Sequence, residues 1–287
     1  MPCYGATLKK VFLLRRTWLT GRFSKPMTVH QPRSRNDFVK LAIELTGKPY
    51  QDLKILEIGP YMSPLITDRD VDTFDVLSHE DLVTRGKSEN GPYYLIPPVT
   101  WIGTNASPEY INKKFDLILS SHVVEHQIDL IEHFQNIQNL LEVGGIYAAL
   151  IPDHRYCFDH FNSPSSIVDV LIAHKNKGAN HTLKSFLEDR LTTSHNTTID
   201  YWAGKPGEEK FKNLTLAAIE NLFDEYSGLV GKNSYVDVHA WKFTEKTFLE
   251  IFMTLNRWGS TRLAVIRSFP VQQGNNEFWV LFRKDVA

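Results

Sequence analysis

Apolar and polar positions along the chain alternate between two periods. Near residues 36–45, Phe38, Leu41, Ala42 and Leu45 fall at helical spacing behind an Asn-x-Asp start, and Thr46-Gly47-Lys48-Pro49 stops the run. Residues 53–59 then read as a buried strand running into a glycine turn. Residues 71–75 and 99–102 predict two further short strands, and 115–120 a fourth that ends in small polar residues. Ile128, Ile131, Phe134, Ile137, Leu140 and Leu141 recur at steps of three and four, which predicts an amphipathic helix with His133 on its exposed side. Val143-Gly144-Gly145 ends that helix, and 146–151 is a strand stopped by Pro152.

From Asp153 to about Tyr235 strand signals vanish, and residues 165–174, 183–191 and 214–226 predict helices separated by polar loops. The first pattern then returns, with a helix over 244–258, a strand over 263–269, a polar turn at 272–276 and a strand over 278–283. Strands joined by so short a turn must run antiparallel, whereas strands alternating with helices imply right-handed crossovers. The expected fold is α/β: a Rossmann-like, open, twisted, mostly parallel sheet of about seven strands with an antiparallel C-terminal hairpin. Residues 1–36 read as a basic arm and 37–287 as a single domain, into which 153–235 is inserted as a mostly helical substrate cap between strands five and six.

Composition changes this picture little. The chain has 287 residues, is 42% hydrophobic and 23% charged, and has a formal charge of −1, so no global field recruits nucleic acid. The charge is uneven: residues 1–36 hold eight Lys/Arg and no acid, which leaves 24 basic against 33 acidic residues elsewhere. Such an arm reads as solvated, with weak contact to an anionic membrane surface as its alternative use. No apolar run reaches the roughly 18 residues of a membrane span, and Val11–Leu14 is too short for a signal-peptide core. Two cysteines, Cys3 and Cys157, make no disulfide framework, and no zinc spacing is evident. The expectation is a cytoplasmic, metal-free protein.

Ligands of open parallel sheets bind beyond the carboxyl ends of the strands, where strand order reverses. Glu57 and Gly59 close the first strand, Asp75 the second, and Ser120-Ser121-His122 the fourth. The interval from Glu57 to Asp75 suits an acid that grips a ribose diol, in a dinucleotide or in S-adenosylmethionine. A dinucleotide needs a G-x-G-x-x-G turn whose amides approach the pyrophosphate. Here Gly59 is followed by Pro60-Tyr61-Met62-Ser63-Pro64, and Pro60 removes a donor. That turn disfavours an NAD-type oxidoreductase and suits a cofactor without phosphate.

These segments, LEIGP, FDV, FDLILSSHVVEH and LLEVGGIYAALIPDHRYCFD, resemble the class I S-adenosylmethionine-dependent methyltransferases. The nearest resemblance is to a bacterial subgroup associated with surface-polysaccharide assembly. It is strong over residues 50–160 and looser over HAWKFT (239–244) and the final hairpin. The resemblance implies that Glu57, Gly59 and Pro60 approach the methionine part of the cofactor, that Asp75 binds its ribose, and that Ser120, Ser121 and His122 contact the methionyl backbone. Asn105 stands where relatives hold adenine with an aspartate.

Methyl transfer to a hydroxyl needs in-line alignment and a base near neutral pH, a role that suits histidine. Candidates are His122, His126 and His195, with Asp153 as orienter or substitute. Arg155, Tyr156, Asn196, Tyr201, Trp202 and His239 form the candidate acceptor surface, because aromatic rings stack on sugar faces and short polar groups bond hydroxyls. The expectation is O-methylation of a saccharide or glycoconjugate, with a non-catalytic module of a surface-glycan pathway as the alternative.

Overall fold

The computed structural model describes residues 31–103, 111–178, 180–232 and 236–285. The chain divides into Met1–Gln31 and Pro32–Ala287, and everything below concerns the second unit. Most of the basic arm, and Asn105, lie outside the described residues.

Strands β1 (Ile55–Ile58), β2 (Asp72–Asp75), β3 (Trp101–Ile102), β4 (Phe115–Ser121), β5 (Leu141–Pro152), β6 (Leu263–Phe269) and β7 (Glu277–Lys284) form one sheet in the order β3-β2-β1-β4-β5-β7-β6. The first five are mutually parallel, and β7 runs antiparallel to both β5 and β6. The expected mostly parallel seven-stranded sheet with an antiparallel C-terminal hairpin is therefore present. Strand order reverses between β1 and β4, so the crevice of such a sheet opens at their carboxyl ends.

Helix α1 (Arg35–Thr46) begins where the Ser34 side chain accepts from the Asp37 amide and ends at Gly47 in the left-handed region, which a glycine adopts without strain. Helix α3 (Leu130–Leu140) is capped by Asp129, whose carboxylate accepts from the Ile131 and Glu132 amides. Helix α8 (Glu245–Arg257) buries Phe248, Ile251, Phe252 and Leu255 against the sheet, where Phe134, Phe278 and Phe282 meet them in one continuous core. The inserted region holds α4 (Ile167–Asn176), α5 (Leu183–Leu191), α6 (Thr198–Trp202) and α7 (Leu216–Gly231).

Three details depart from the sequence reading. Strand β5 starts at Leu141, directly after α3, and Gly144-Gly145 lie inside it at a register shift against β4. Helix α2 (His79–Ser88) was not expected, since only Leu82 and Gly86 on it are buried and period is hard to see in so polar a segment. His133 is buried rather than exposed: its Nε2 lies 3.2 Å from the Tyr147 hydroxyl, and burial pushes its pKa down to about 3. The buried stripe of α3 is wider than its aliphatic residues suggest, because His133 and Asn136 share it.

Candidate functional site

A cavity opens at the carboxyl ends of β1, β2 and β4. Its wall is Ile58 from β1 and Gly59 and Tyr61 after it, Phe74 and Asp75 from β2 and Val76 and Leu77 after it, Leu82 and Arg85 from α2, His122, Val123, His126 and Gln127 after β4, and Asp237. Gly59 has φ of +62°, and a Cβ there would come within 2.9 Å of Val123 Cγ2. Glycine is required twice over at this point, once by conformation and once by space.

Asp75 is buried at the tip of β2. Its Oδ1 accepts from the Val76 amide at 2.7 Å and the Leu77 amide at 3.2 Å. Burial raises its pKa despite those bonds. Both amides use the same oxygen, so the carboxylate retains acceptor capacity for a ligand at the cavity wall.

Glu57 is buried too, but it turns inward. Its carboxylate accepts from the Leu65 amide at 2.6 Å and from the Ile66 amide at 3.4 Å, and burial pushes its pKa up to about 7 against those two bonds. It braces the turn that carries Gly59, Pro60 and Tyr61 and is absent from the cavity wall. Pro60 is buried and its carbonyl accepts from the Ser63 amide. Ser120 likewise points into the core, where its hydroxyl lies 2.8 Å from that of Tyr147. Ser121 is half-buried beside it at the end of β4, and neither serine is on the cavity wall.

His122 sits at φ of +53°, an uncommon conformation for a side chain with a Cβ, and it turns the imidazole onto the cavity wall. Its Nε2 lies 3.0 Å from Glu277 Oε2, and its Nδ1 lies 3.5 Å from Glu125 Oε1. Glu277 is further held by Arg35, through Nε at 2.9 Å and Nη2 at 2.7 Å, and by Trp279 Nε1 at 2.9 Å. Burial opposes its charge, yet His122 and Arg35 overcome burial and hold its pKa down at about 2.

His126, one 3-10 turn further on, lies with Nδ1 3.2 Å from Asp237 Oδ1, an ion-pair distance without hydrogen-bond alignment, and with Nε2 3.9 Å from Glu125 Oε1. Burial works against a charged imidazole here, but Asp237 and Glu125 outweigh it, and the pKa is raised. Arg85 reaches Asp237 at 2.5 Å and lies over the Tyr61 ring.

His239 arrives from a distant part of the chain. The Ala240 and Trp241 amides both bond the Glu125 carbonyl, at 2.8 and 3.1 Å, and Trp241 Nε1 donates to the Gln127 carbonyl. That docking places the His239 ring edge-on to His126 at 4.6 Å, with Nδ1 2.5 Å from Asp159 and Nε2 3.8 Å from Glu125.

The remaining expected residues gather elsewhere. Asp153 is fully buried, and its two oxygens take Arg155 Nε at 2.8 Å and Nη2 at 2.7 Å. It is thus tied to its neighbour, not presented to a histidine. Tyr156 stacks on Trp202 with centroids 4.0 Å apart, and Trp202 Nε1 donates to the Asn275 carbonyl in the turn between β6 and β7. His195 has both nitrogens engaged, Nδ1 accepting from the Thr197 amide and Nε2 facing the Lys205 carbonyl. With neither nitrogen available, it serves the loop around Tyr201, whose hydroxyl bonds Ser194 and the His195 carbonyl. Asn196 is exposed beside it. None of these seven residues, Asp153, Arg155, Tyr156, His195, Asn196, Tyr201 and Trp202, lines the cavity.

Sequence reasoning passed over Glu125, Asp237, Arg85, Tyr61 and Glu277. Glu125 was within sight, lying between two histidines already singled out. The others depend on long-range pairings, such as Arg85 with Asp237, that no local pattern encodes.

No family model matches the chain, and no curated protein does. Among solved structures it is similar to an S-adenosylmethionine-dependent methyltransferase from Clostridium acetobutylicum, at 12% identity, covering 88% of this chain and 91% of that one, with a TM-score of 0.45. It is also similar to the CcbJ methyltransferase from Streptomyces caelestis, at 12% identity, covering 89% and 90%, with a TM-score of 0.41. The magnesium protoporphyrin IX methyltransferase from Synechocystis, solved with bound S-adenosylhomocysteine, is a third neighbour, at 8% identity, covering 88% and 83%, with a TM-score of 0.39. No described helix is long and apolar enough to cross a membrane.

Proposed function

We propose that the chain is an S-adenosylmethionine-dependent methyltransferase whose cofactor lies across the ends of β1, β2 and β4. The observation that carries this reading is the cavity at the strand-order reversal, where a glycine that admits no Cβ adjoins a buried aspartate at the tip of β2. Close backbone approach at Gly59 suits the methionyl part, and Asp75 would accept from the ribose hydroxyls. Val76, Leu77 and Leu82 offer an apolar wall to the purine. The turn after Gly59 supports the same choice, since Pro60 has no amide to offer a pyrophosphate.

The bound cofactor supplies an electrophilic methyl on a sulfonium. The chain's own part is to align an acceptor in line with it and to manage the acceptor's proton. His122 and His126 stand on the cavity wall with carboxylates behind them, which is the arrangement that orients an imidazole for such a role. Glu57 acts one step removed, by fixing the turn.

A saccharide acceptor is the finer reading, and it rests on the aromatic and short polar residues of the insertion. Tyr156 and Trp202 stack on each other outside the cavity wall, so the reading draws on residue types and not on their placement.

Calorimetric titration of the purified protein with S-adenosylhomocysteine and, separately, with NAD tests the proposal. Binding of the former that Asp75→Ala weakens is the expected result. Binding of NAD alone, or of neither, overturns it.

A further inference from the structure

Glu125 is fully buried, and neither of its oxygens has an aligned hydrogen bond. A carboxylate left so in a protein interior is costly. Its surroundings are imidazoles: Nε2 of His239 at 3.8 Å, Nε2 of His126 at 3.9 Å and Nδ1 of His122 at 3.5 Å. One ligand atom from each of Glu125, His126 and His239 falls in a cluster no wider than 4.8 Å.

We propose that Glu125, His126 and His239 form a binding site for one divalent transition cation of the zinc class. Ligands about 2.1 Å from a tetrahedral zinc stand roughly 3.4 Å apart, so the two spacings to Glu125, 3.8 and 3.9 Å, need only a few tenths of an ångström of contraction, and the two imidazole nitrogens lie within 4.8 Å of each other. Two imidazoles and one carboxylate form the donor set typical of zinc and its first-row neighbours, with a coordination position left for water or substrate.

The outer sides of the two histidines fit the same purpose. Each presents Nε2 inward and Nδ1 outward to a carboxylate, Asp159 at 2.5 Å from His239 and Asp237 at 3.2 Å from His126. Carboxylates placed behind ligating histidines fix the tautomer and raise the basicity of the inner nitrogen. Among the described residues, Asp237 has the Arg85 guanidinium against it and Asp159 has the Lys242 ammonium acting on it, whereas Glu125 faces imidazoles. A bound cation would balance Glu125. The rival occupant is a proton on one imidazole, but a proton serves one nitrogen, whereas nitrogens of His122, His126 and His239 all face Glu125 Oε1. His122 lies outside the three-atom cluster and is a neighbour of Glu125 on the cavity side.

The expectation of a metal-free protein came from sequence spacing, which cannot show His239 meeting Glu125 from 114 residues away. Because His126 also lines the cavity, a cation there would offer Lewis-acid chemistry to a hydroxyl at that wall. This consequence rests on the methyl-transfer reading; cation binding does not.

The test is a titration of chelator-stripped full-length protein with Co²⁺ and Zn²⁺ alone, followed by visible absorption and thermal unfolding. We expect one ion per chain, d–d bands with Co²⁺ and a raised Tm. Glu125→Gln and His239→Gln should each abolish the bands. Asp159→Asn should keep them but weaken affinity about 10–100-fold, as loss of a carboxylate behind a ligand does. Stripped wild-type protein that is folded by circular dichroism yet shows neither bands nor a Tm shift overturns the site, whatever becomes of the variants. Binding that persists in both Glu125→Gln and His239→Gln overturns it as well. Neither result touches the cofactor titration with S-adenosylhomocysteine, so the two readings fail separately.

Discussion

Two clusters of histidine and aromatic side chains lie beyond the carboxyl edge of the sheet, and they are built differently. Around the cavity, His122, His126 and His239 each meet carboxylates: Glu277, Asp237, Asp159 and the shared Glu125. In the insertion, His195 faces backbone groups, and the Nδ1 of His160 lies 2.6 Å from the Arg155 carbonyl. Rings there stack on one another, His160 and His195 on Tyr201 and Tyr156 on Trp202. An imidazole between carboxylates can hold a proton or a cation and pass it on. One bonded to its own loop through both nitrogens is spent on holding that loop. Residue type is the same in both places, and the partners decide the use.

The largest expected effect separates these clusters directly. His122→Ala or His126→Ala should lower turnover roughly 10²–10⁴-fold, while His195→Ala leaves it near the wild-type rate. Steady-state release of S-adenosylhomocysteine measures both, and a large loss in His195→Ala alone would invert the comparison.

A second contrast sets the buried carboxylates against each other by pH. Glu57 carries a folded pKa near 7, above the ordinary 4.5, so the folded state holds its proton more tightly. Its contribution to stability is present below about pH 4.5 and is lost as pH rises towards 7, on a scale of up to about 3 kcal/mol. Glu277, held near 2, behaves oppositely: its contribution is present above 4.5 and is lost as pH falls towards 2. Urea unfolding at pH 5 and pH 8 should show wild type losing stability relative to Glu57→Gln, and an unchanged difference would contradict the assignment.

Smaller effects follow at single contacts. Asp75→Ala should weaken S-adenosylhomocysteine by about 1.5–3 kcal/mol in calorimetry, the scale of a charge-assisted bond lost from a buried site. Arg155→Met should instead cost about 1–3 kcal/mol of stability by stranding the buried Asp153, with cofactor affinity unchanged. If Arg155→Met reduced affinity as much as Asp75→Ala, the insertion would belong to the cofactor site after all.

Much of the frame was legible in the sequence because it rests on local periodicity. Helix α5 and strand β6 fall on their expected residues, and β1, β4 and β7 within a residue or two of theirs. Gly59 and Asp75 were legible as strand-end residues, and the structure sets both on the cavity wall. Glu57 and Ser120 occupy the same kind of strand end yet are buried off the cavity wall, Glu57 on the Leu65 and Ile66 amides and Ser120 on the Tyr147 hydroxyl, partners that no local pattern shows. Partnership was less visible. Asp153 and His195 have residue types suited to chemistry, but Arg155 takes up one and loop backbone the other. His239 and Asp237 gain significance only through the docking of 236–243 onto the turn after β4, which is tertiary information.

That docking has a mechanical consequence. The Glu125 carbonyl holds the Ala240 and Trp241 amides together, and the Trp241 indole grips the neighbouring Gln127 carbonyl. Release of 240–241 therefore requires several bonds around one peptide to part in a single event. In hydrogen–deuterium exchange the two amides should open as one cooperative unit rather than fray one after the other. Any force on the insertion that displaced this segment would carry Asp237 and His239 with it. The segment would then act as a lever between the helices of the insertion and the charged wall of the cavity, and its exchange rate would report how stiff that lever is.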